Sequence, residues 1–186
     1  MGFRKFVNVL ILALLTCLPA MAAPIQAHDI NGISHTFPNV SNKATVLFFI
    51  AHDCPISNEY APEFNRIASH YAAHHISFTA VYTENRASPA QVRKHAQDYG
   101  YTCPLFLDNT ETIAHHFGAT VTPTVAIVGP DGTVCYLGSV DNLYAGIGRK
   151  RTVVTQHYLR DALDSILSSR PIALSHTPAY GCYITR

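Results

Sequence analysis

Residues 44–51, Ala-Thr-Val-Leu-Phe-Phe-Ile-Ala, form a nearly continuous apolar run that gives way to His52-Asp53-Cys54-Pro55-Ile56-Ser57. An unalternating run of that length is expected of a strand buried on both faces. The segment 57–73 carries Tyr60, Phe64, Ile67 and Tyr71 at spacings of four, three and four, which predicts a helix with one apolar stripe. A doubly buried strand feeding a helix confines the chain to a layered α/β architecture. It also puts a thiol at the junction between the two.

The rest of the chain reads in the same terms. Asn31-Gly32 marks a tight turn between short strand pieces within 29–37, and 76–82 is a second apolar strand. Ser88-Pro89 caps and opens a helix that Gly100 stops after Tyr99. A short strand at 104–107 and a short helix at 110–117 follow, the helix ending at Gly118. Strands at 124–128 and 133–137 flank Gly129-Pro130-Asp131-Gly132, and a last helix covers 155–168 with Tyr158, Leu159, Ala162, Ile166 and Leu167 toward the core. Alternating strands and helices followed by a hairpin predict one α/β domain with a mixed central sheet flanked by helices on both faces.

The first residues read as an address. Arg4 and Lys5 precede an apolar stretch over 6–18, then Pro19 and the small-residue run Ala20-Met21-Ala22-Ala23. That pattern predicts a signal peptide over 1–22, a domain over 23–170 and a tail over 171–186. The chain is therefore expected to be exported, to the bacterial periplasm or the extracellular space, with no membrane span after cleavage. Cys54, Cys103, Cys135 and Cys182 would remain in a compartment that permits disulfides. A formal net charge of +1 gives no field suited to nucleic acid, and no nucleic-acid partner is expected.

A thiol at the start of a helix faces unpaired backbone N–H groups and the positive end of the helix dipole, both of which favour the thiolate. Cys54 is thus the candidate nucleophile, and Ser57 can donate a hydrogen bond to its sulfur or cap the helix. A second feature is Val121-Thr122-Pro123-Thr124, a proline at the margin of an apolar strand.

Together these features resemble the thioredoxin superfamily over about residues 30–167. Cys54-Pro55-Ile56-Ser57-Asn58 with Tyr60-Ala61-Pro62-Glu63, and the tail Gly181-Cys182-Tyr183-Ile184, look like its exported redoxin branch, related to peroxiredoxins and the alkyl hydroperoxide reductase/thiol-specific antioxidant proteins. The resemblance implies a thioredoxin-like fold and a thiol–disulfide oxidoreductase that needs no cofactor. By it Cys54 matches the exposed cysteine that attacks disulfides, Pro123 the cis-proline packed against it, and Thr122 a residue whose backbone meets a bound substrate chain. Its partners would be protein or small-molecule thiols and disulfides, with a further redox protein to recycle it.

The sequence departs from the C-x-x-C pattern at Ser57, so resolution of a mixed disulfide falls to another thiol. Cys182, on a tail that can reach back, is the leading candidate. Cys103 is expected at the amino end of its strand, away from the site, and Cys135 as a small core residue; a structural bridge joining Cys103 to Cys182 or Cys135 competes. Peroxide reduction is a further alternative, weakened because Ile50, Cys54 and Ser57 stand where the peroxiredoxin motif P-x-x-x-T-x-x-C has Pro, Thr and Cys. Another is a copper-handling protein that uses Cys54, Cys182 and a histidine, although no metal ligand set stands out. His74-His75 and His115-His116 are adjacent pairs that do not chelate from one helix face, and most histidines are expected on solvated helix faces. Arg149-Lys150-Arg151 is expected as solvated surface.

Overall fold

A computed structural model of the chain describes residues 24–84 and 86–184. The expected signal peptide over 1–22 lies outside the described residues, and none of the described helices is long and apolar enough to cross a membrane. The apolar run forms strand β3 (Ala44–Ile50), in which every residue is buried. Its neighbours explain why. A hairpin of β1 (Ile25–His28) and β2 (Ser34–Phe37) comes first in the chain, turning at Gly32 with φ 81°. The main sheet then runs β5 (Leu105–Leu107), β4 (Ile76–Tyr82), β3, β7 (Thr124–Val128) and β8 (Val134–Gly138). Strand β3 is central, parallel to β4 on one side and antiparallel to β7 on the other, so the sheet is mixed. The two-residue strands β6 (Val121–Thr122) and β9 (Cys182–Tyr183) form a separate small ladder.

Because successive side chains of a strand point to opposite faces, β3 feeds two cores. Val46, Phe48 and Ile50 pack with Phe64 and Ile67 of α1 (Pro55–Tyr71), Val92 of α2 (Pro89–Tyr99), and Leu159 and Leu163 of α4 (Tyr158–Leu167). Leu47 and Phe49 pack with Phe37, Phe106, and Ile113 and Phe117 of α3 (Thr112–Phe117). Helices thus cover both faces, as expected. Phe48 and Phe64 stack with ring centroids 4.2 Å apart, tying the strand to the helix that follows it. Burial of each such ring contributes about 1.5–3 kcal/mol.

Helix starts differ at α1, α3 and α4, and at α1 and α4 the local reason is plain. Helix α1 begins at Pro55 rather than Ser57, because proline at the first helical position carries a preset φ and lacks an N–H that would be unpaired there. Cys54 itself becomes the N-cap. Helix α4 begins at Tyr158 rather than residue 155, because Asn142 Oδ1 accepts hydrogen bonds from the N–H groups of Thr155 (2.9 Å) and Gln156 (3.1 Å) and holds that stretch against its own loop. Helix α2 keeps its expected bounds: the Ser88 hydroxyl and the Gln91 side chain form a reciprocal capping box, and Gly100 closes the helix at φ 72°.

One residue placement corrects the sequence reading and another qualifies it. Cys135, expected in the core, is half-buried at its margin on β8, with Sγ 3.5 Å from the Thr133 carbonyl. His95 is an exception to the expectation that most histidines lie on solvated helix faces: it is buried beneath α2, bonded through Nδ1 to the Tyr82 hydroxyl and through Nε2 to Asn58 Oδ1, each at 2.8 Å. His74, His75 and His115 are exposed, as expected of helix-face residues.

Candidate active site

The site stands where β3 ends and α1 begins. Cys54 has the extended backbone of an N-cap (φ −84°, ψ 110°), and its carbonyl accepts the Asn58 N–H at 3.0 Å. Its side chain caps nothing in the helix. Instead the sulfur lies beneath two other segments: Sγ is 3.4 Å from the Thr122 carbonyl oxygen and 2.7 Å from Sγ of Cys182. Cys54 has no accessible surface, which departs from the exposed cysteine that the resemblance implies. Ser57 Oγ is likewise wholly buried and has no partner at hydrogen-bond geometry. It stands beside Cys54, so a thiolate there would satisfy a donor that otherwise goes unused.

The two facing thiols are held in opposite electrostatic states. Burial opposes ionisation of Cys54, but the stabilisation that a thiolate there would receive from the Cys182 thiol and from the nearby hydroxyl and backbone N–H of Ser57 outweighs it, leaving the pKa below that of an ordinary thiol. Burial, the neighbouring Cys54 sulfur and the charge of Asp53 push Cys182 up to about 12. In this pair the proton belongs on Cys182 and the negative charge on Cys54.

Thr122 and Pro123 are joined by a cis peptide bond, and both are buried above Cys54. The resemblance implies that the Thr122 backbone meets a substrate chain. Here it meets the protein's own tail: Thr122 pairs with Cys182 and Val121 with Tyr183, the Thr122 hydroxyl donates to the Cys182 carbonyl at 3.4 Å, and the Ile184 N–H donates to Thr120 at 3.0 Å. Glycine at 181 permits this approach, since a Cβ there would run into the Thr122 carbonyl. Upstream, the tail is anchored at buried Thr177, whose hydroxyl lies 2.6 Å from the Tyr136 hydroxyl and accepts the Ser139 N–H at 3.1 Å.

The structure therefore brings Cys54, Ser57, Thr122, Pro123 and Cys182 together. It does not bring in Cys103 or Cys135. Cys103 lies just ahead of β5, packed against the first core, with its thiol pushed up to about 12 by burial. Cys135 sits at the β7–β8 turn with Gly129 and Thr133.

Sequence reasoning missed Glu84 and the role of His52. His52 donates its backbone N–H to the Glu84 carboxylate, and its Nδ1 lies 2.9 Å from Oε1. The second carboxylate oxygen is buried without a partner, and burial raises the Glu84 pKa, an effect that the bonds from His52 partly offset. The register of the parallel pair held a signal for this contact: Ile50 stands beside Tyr82, so the residues two positions beyond each strand end, His52 and Glu84, emerge side by side. With Asp53 they form the one group of potential metal ligands found among the described residues, their ligand atoms within 4.8 Å of one another. An imidazole with two carboxylates suits a harder divalent ion better than Cu(I). A cavity of about 400 Å³ opens here, lined by His52, Asp53, Glu84, Arg86, Thr122 and Cys182.

On the opposite flank Lys150 is paired with Glu59 in the first turns of α1, and the Tyr144 hydroxyl donates to the same carboxylate. The basic cluster is thus exposed, as expected, but one of its members is tied to the helix that carries Cys54.

The model of the AhpC/TSA family matches residues 17–137 of this chain. Among solved structures, an uncharacterised conserved protein from Geobacillus kaustophilus is similar at 28% identity and a TM-score of 0.78, over 89% of this chain and 90% of that one. A hypothetical protein from Sinorhizobium meliloti 1021 is 24% identical with a TM-score of 0.75, over 88% and 91% of the two chains. A secreted Mycobacterium tuberculosis disulfide oxidoreductase, homologous to DsbE of E. coli, aligns at 18% identity with a TM-score of 0.55, over 78% of this chain and 95% of that one. These likenesses establish a thioredoxin-like fold. No curated protein matches the chain. The family match ends within β8, and so short of the tail that brings Cys182 to Cys54.

Proposed function

The chain belongs to the AhpC/TSA family, and we propose that it is an exported thiol–disulfide oxidoreductase whose working pair is Cys54 and Cys182. One observation carries this reading: the two sulfurs face each other at 2.7 Å, one held toward the thiolate and the other toward the thiol. In the reduced protein the Cys54 thiolate attacks one sulfur of a substrate disulfide. The substrate S–S bond breaks, one thiolate leaves, and a mixed disulfide remains on Cys54. Cys182, losing its proton, then attacks Cys54 Sγ and expels the second substrate thiolate, closing a Cys54–Cys182 disulfide. The substrate gains two electrons and the pair loses two.

Ser57 serves this chemistry as a donor to the Cys54 thiolate. Thr122, beside cis Pro123, offers a backbone edge for an extended substrate chain once the tail has lifted from it. The charged start at Arg4 and Lys5, the apolar stretch over 6–18 and the small residues before position 23 support export to the periplasm or beyond, with 1–22 as signal, 23–170 as the domain and 171–186 as the tail. The secreted mycobacterial relative of the fold agrees with such a location. Partners are thiols and disulfides, with a reductant or oxidant to recycle the pair.

The test is a disulfide-exchange assay on cysteine variants of the chain without residues 1–22. Cys54→Ser abolishes exchange and Cys135→Ser leaves it nearly intact. Retained exchange in the Cys54 variant would defeat the reading.

A further inference from the structure

The oxidised pair has two sulfurs that an incoming thiol could attack, and the structure treats them unequally. Disulfide exchange runs in line: the attacking thiolate approaches one sulfur from the side opposite the sulfur that leaves. At Cys54 that approach comes from inside the protein. Cys54 has no accessible surface, and the Thr122 carbonyl and the buried Ser57 hydroxyl close around it. With the tail paired to β6, Cys182 itself lies over the remaining side. Cys182 is half-buried and forms part of the wall of the 400 Å³ cavity, whereas Cys54 does not line it.

We propose that the oxidised protein is reduced through Cys182, by a low-molecular-weight thiol that enters the cavity between His52, Glu84, Arg86 and the tail. This rests on the Cys54–Cys182 pair proposed above and adds the order of events and the class of electron donor. A thiolate RS⁻ attacks Cys182 Sγ, the Cys54–Cys182 bond breaks, and Cys54 leaves as a thiolate, received by the Ser57 hydroxyl and the start of α1. A second RS⁻ attacks the RS sulfur of the RS–S–Cys182 adduct and releases Cys182, which takes a proton from solvent. Two thiols become one RSSR, and the pair gains the two electrons.

Two features select a small donor. The cavity is of the size that holds a small molecule, and the β6 edge, where an extended chain would pair, is already occupied by β9. The leaving group agrees with the order, because Cys54 departs at the start of α1 beside the buried Ser57 hydroxyl, a donor with no other partner to receive the charge. Electrons would therefore enter at Cys182 with the tail in place and leave from Cys54 with the tail lifted.

The experiment starts from fully oxidised protein whose Cys54–Cys182 bond has been mapped by mass spectrometry. Reduced glutathione is added at low molar excess, the reaction is quenched with acid at short times, free thiols are alkylated, and peptides are sequenced. The expected result is glutathione on Cys182 with Cys54 alkylated, at least ten-fold over the reverse arrangement. Glutathione found mainly on Cys54 would overturn the inference and leave the oxidoreductase reading standing. Failure to form any Cys54–Cys182 bond on oxidation would overturn both.

Discussion

Thr122 and Cys182 stand opposite each other in the β6–β9 ladder, so the backbone beside cis Pro123 is already paired with the chain's own tail. The same contact sets the Cys182 sulfur against Cys54. One two-residue ladder thus does two things: it covers Cys54, and it delivers the only other cysteine near it among the described residues. Anything that loosens the ladder should change the accessibility of Cys54 and the chance of closing the disulfide together.

Gly181 is the position at which this coupling is easiest to break. Replacing it by valine sets a side chain against the Thr122 carbonyl, and the strand must move away. In the reduced Gly181→Val protein, Cys54 should be alkylated by a bulky maleimide at least ten-fold faster than in wild type. The thermal midpoint should change little, because β9 adds only two paired residues. An unchanged alkylation rate would show that the tail does not shield Cys54.

Thr177 anchors the tail further upstream. Thr177→Val keeps the shape and removes the hydroxyl, leaving the buried Ser139 N–H without its acceptor, at a cost of about 1–3 kcal/mol. Amide hydrogen exchange at residues 181–184 should accelerate, while the strands around β3 keep their protection. Exchange that rises equally everywhere would point to global destabilisation instead.

Ionisation of Cys54 has its own signature. Its pKa lies below the ordinary thiol value in the folded chain, held down against burial by Cys182 and Ser57. The stability contributed by the thiolate is therefore fully present above the unfolded thiol pKa of about 8.5. It is lost as pH falls through the lower folded value. Unfolding measured by denaturant should show this slope in the reduced protein, and Cys54→Ser should flatten it. Ser57→Ala should move the midpoint of Cys54 alkylation to higher pH. Since the Ser57 hydroxyl has no other partner, the same variant should lose little stability.

The fold was legible because its signals are local. The run over 44–51 announces a doubly covered strand, and Ser88, Pro89 and Gly100 carry their own capping chemistry. Thr122-Pro123 and Cys54-Pro55-Ile56-Ser57 marked two sides of the site in the same way. The tail was less legible: β9 has two residues and no periodicity, so only the cysteine itself hinted at a destination. The burial of Cys54 was not visible at all, because it results from tail and proline loop arriving from residues far along the chain. The burial of His95 is hidden from the sequence for a similar reason. Its partners, Tyr82 and Asn58, come from β4 and α1, and no pattern within α2 marks a histidine as one that will be buried with both ring nitrogens satisfied.

The pairing of cysteines in the oxidised protein tests the account most directly. The chain without residues 1–22 would be oxidised gently, its free thiols alkylated, and its disulfides mapped by mass spectrometry before and after mild reduction. The account predicts a reducible Cys54–Cys182 bond with Cys103 and Cys135 free. A bond joining Cys103 to Cys182 or Cys135, with Cys54 left as a free thiol, would contradict it.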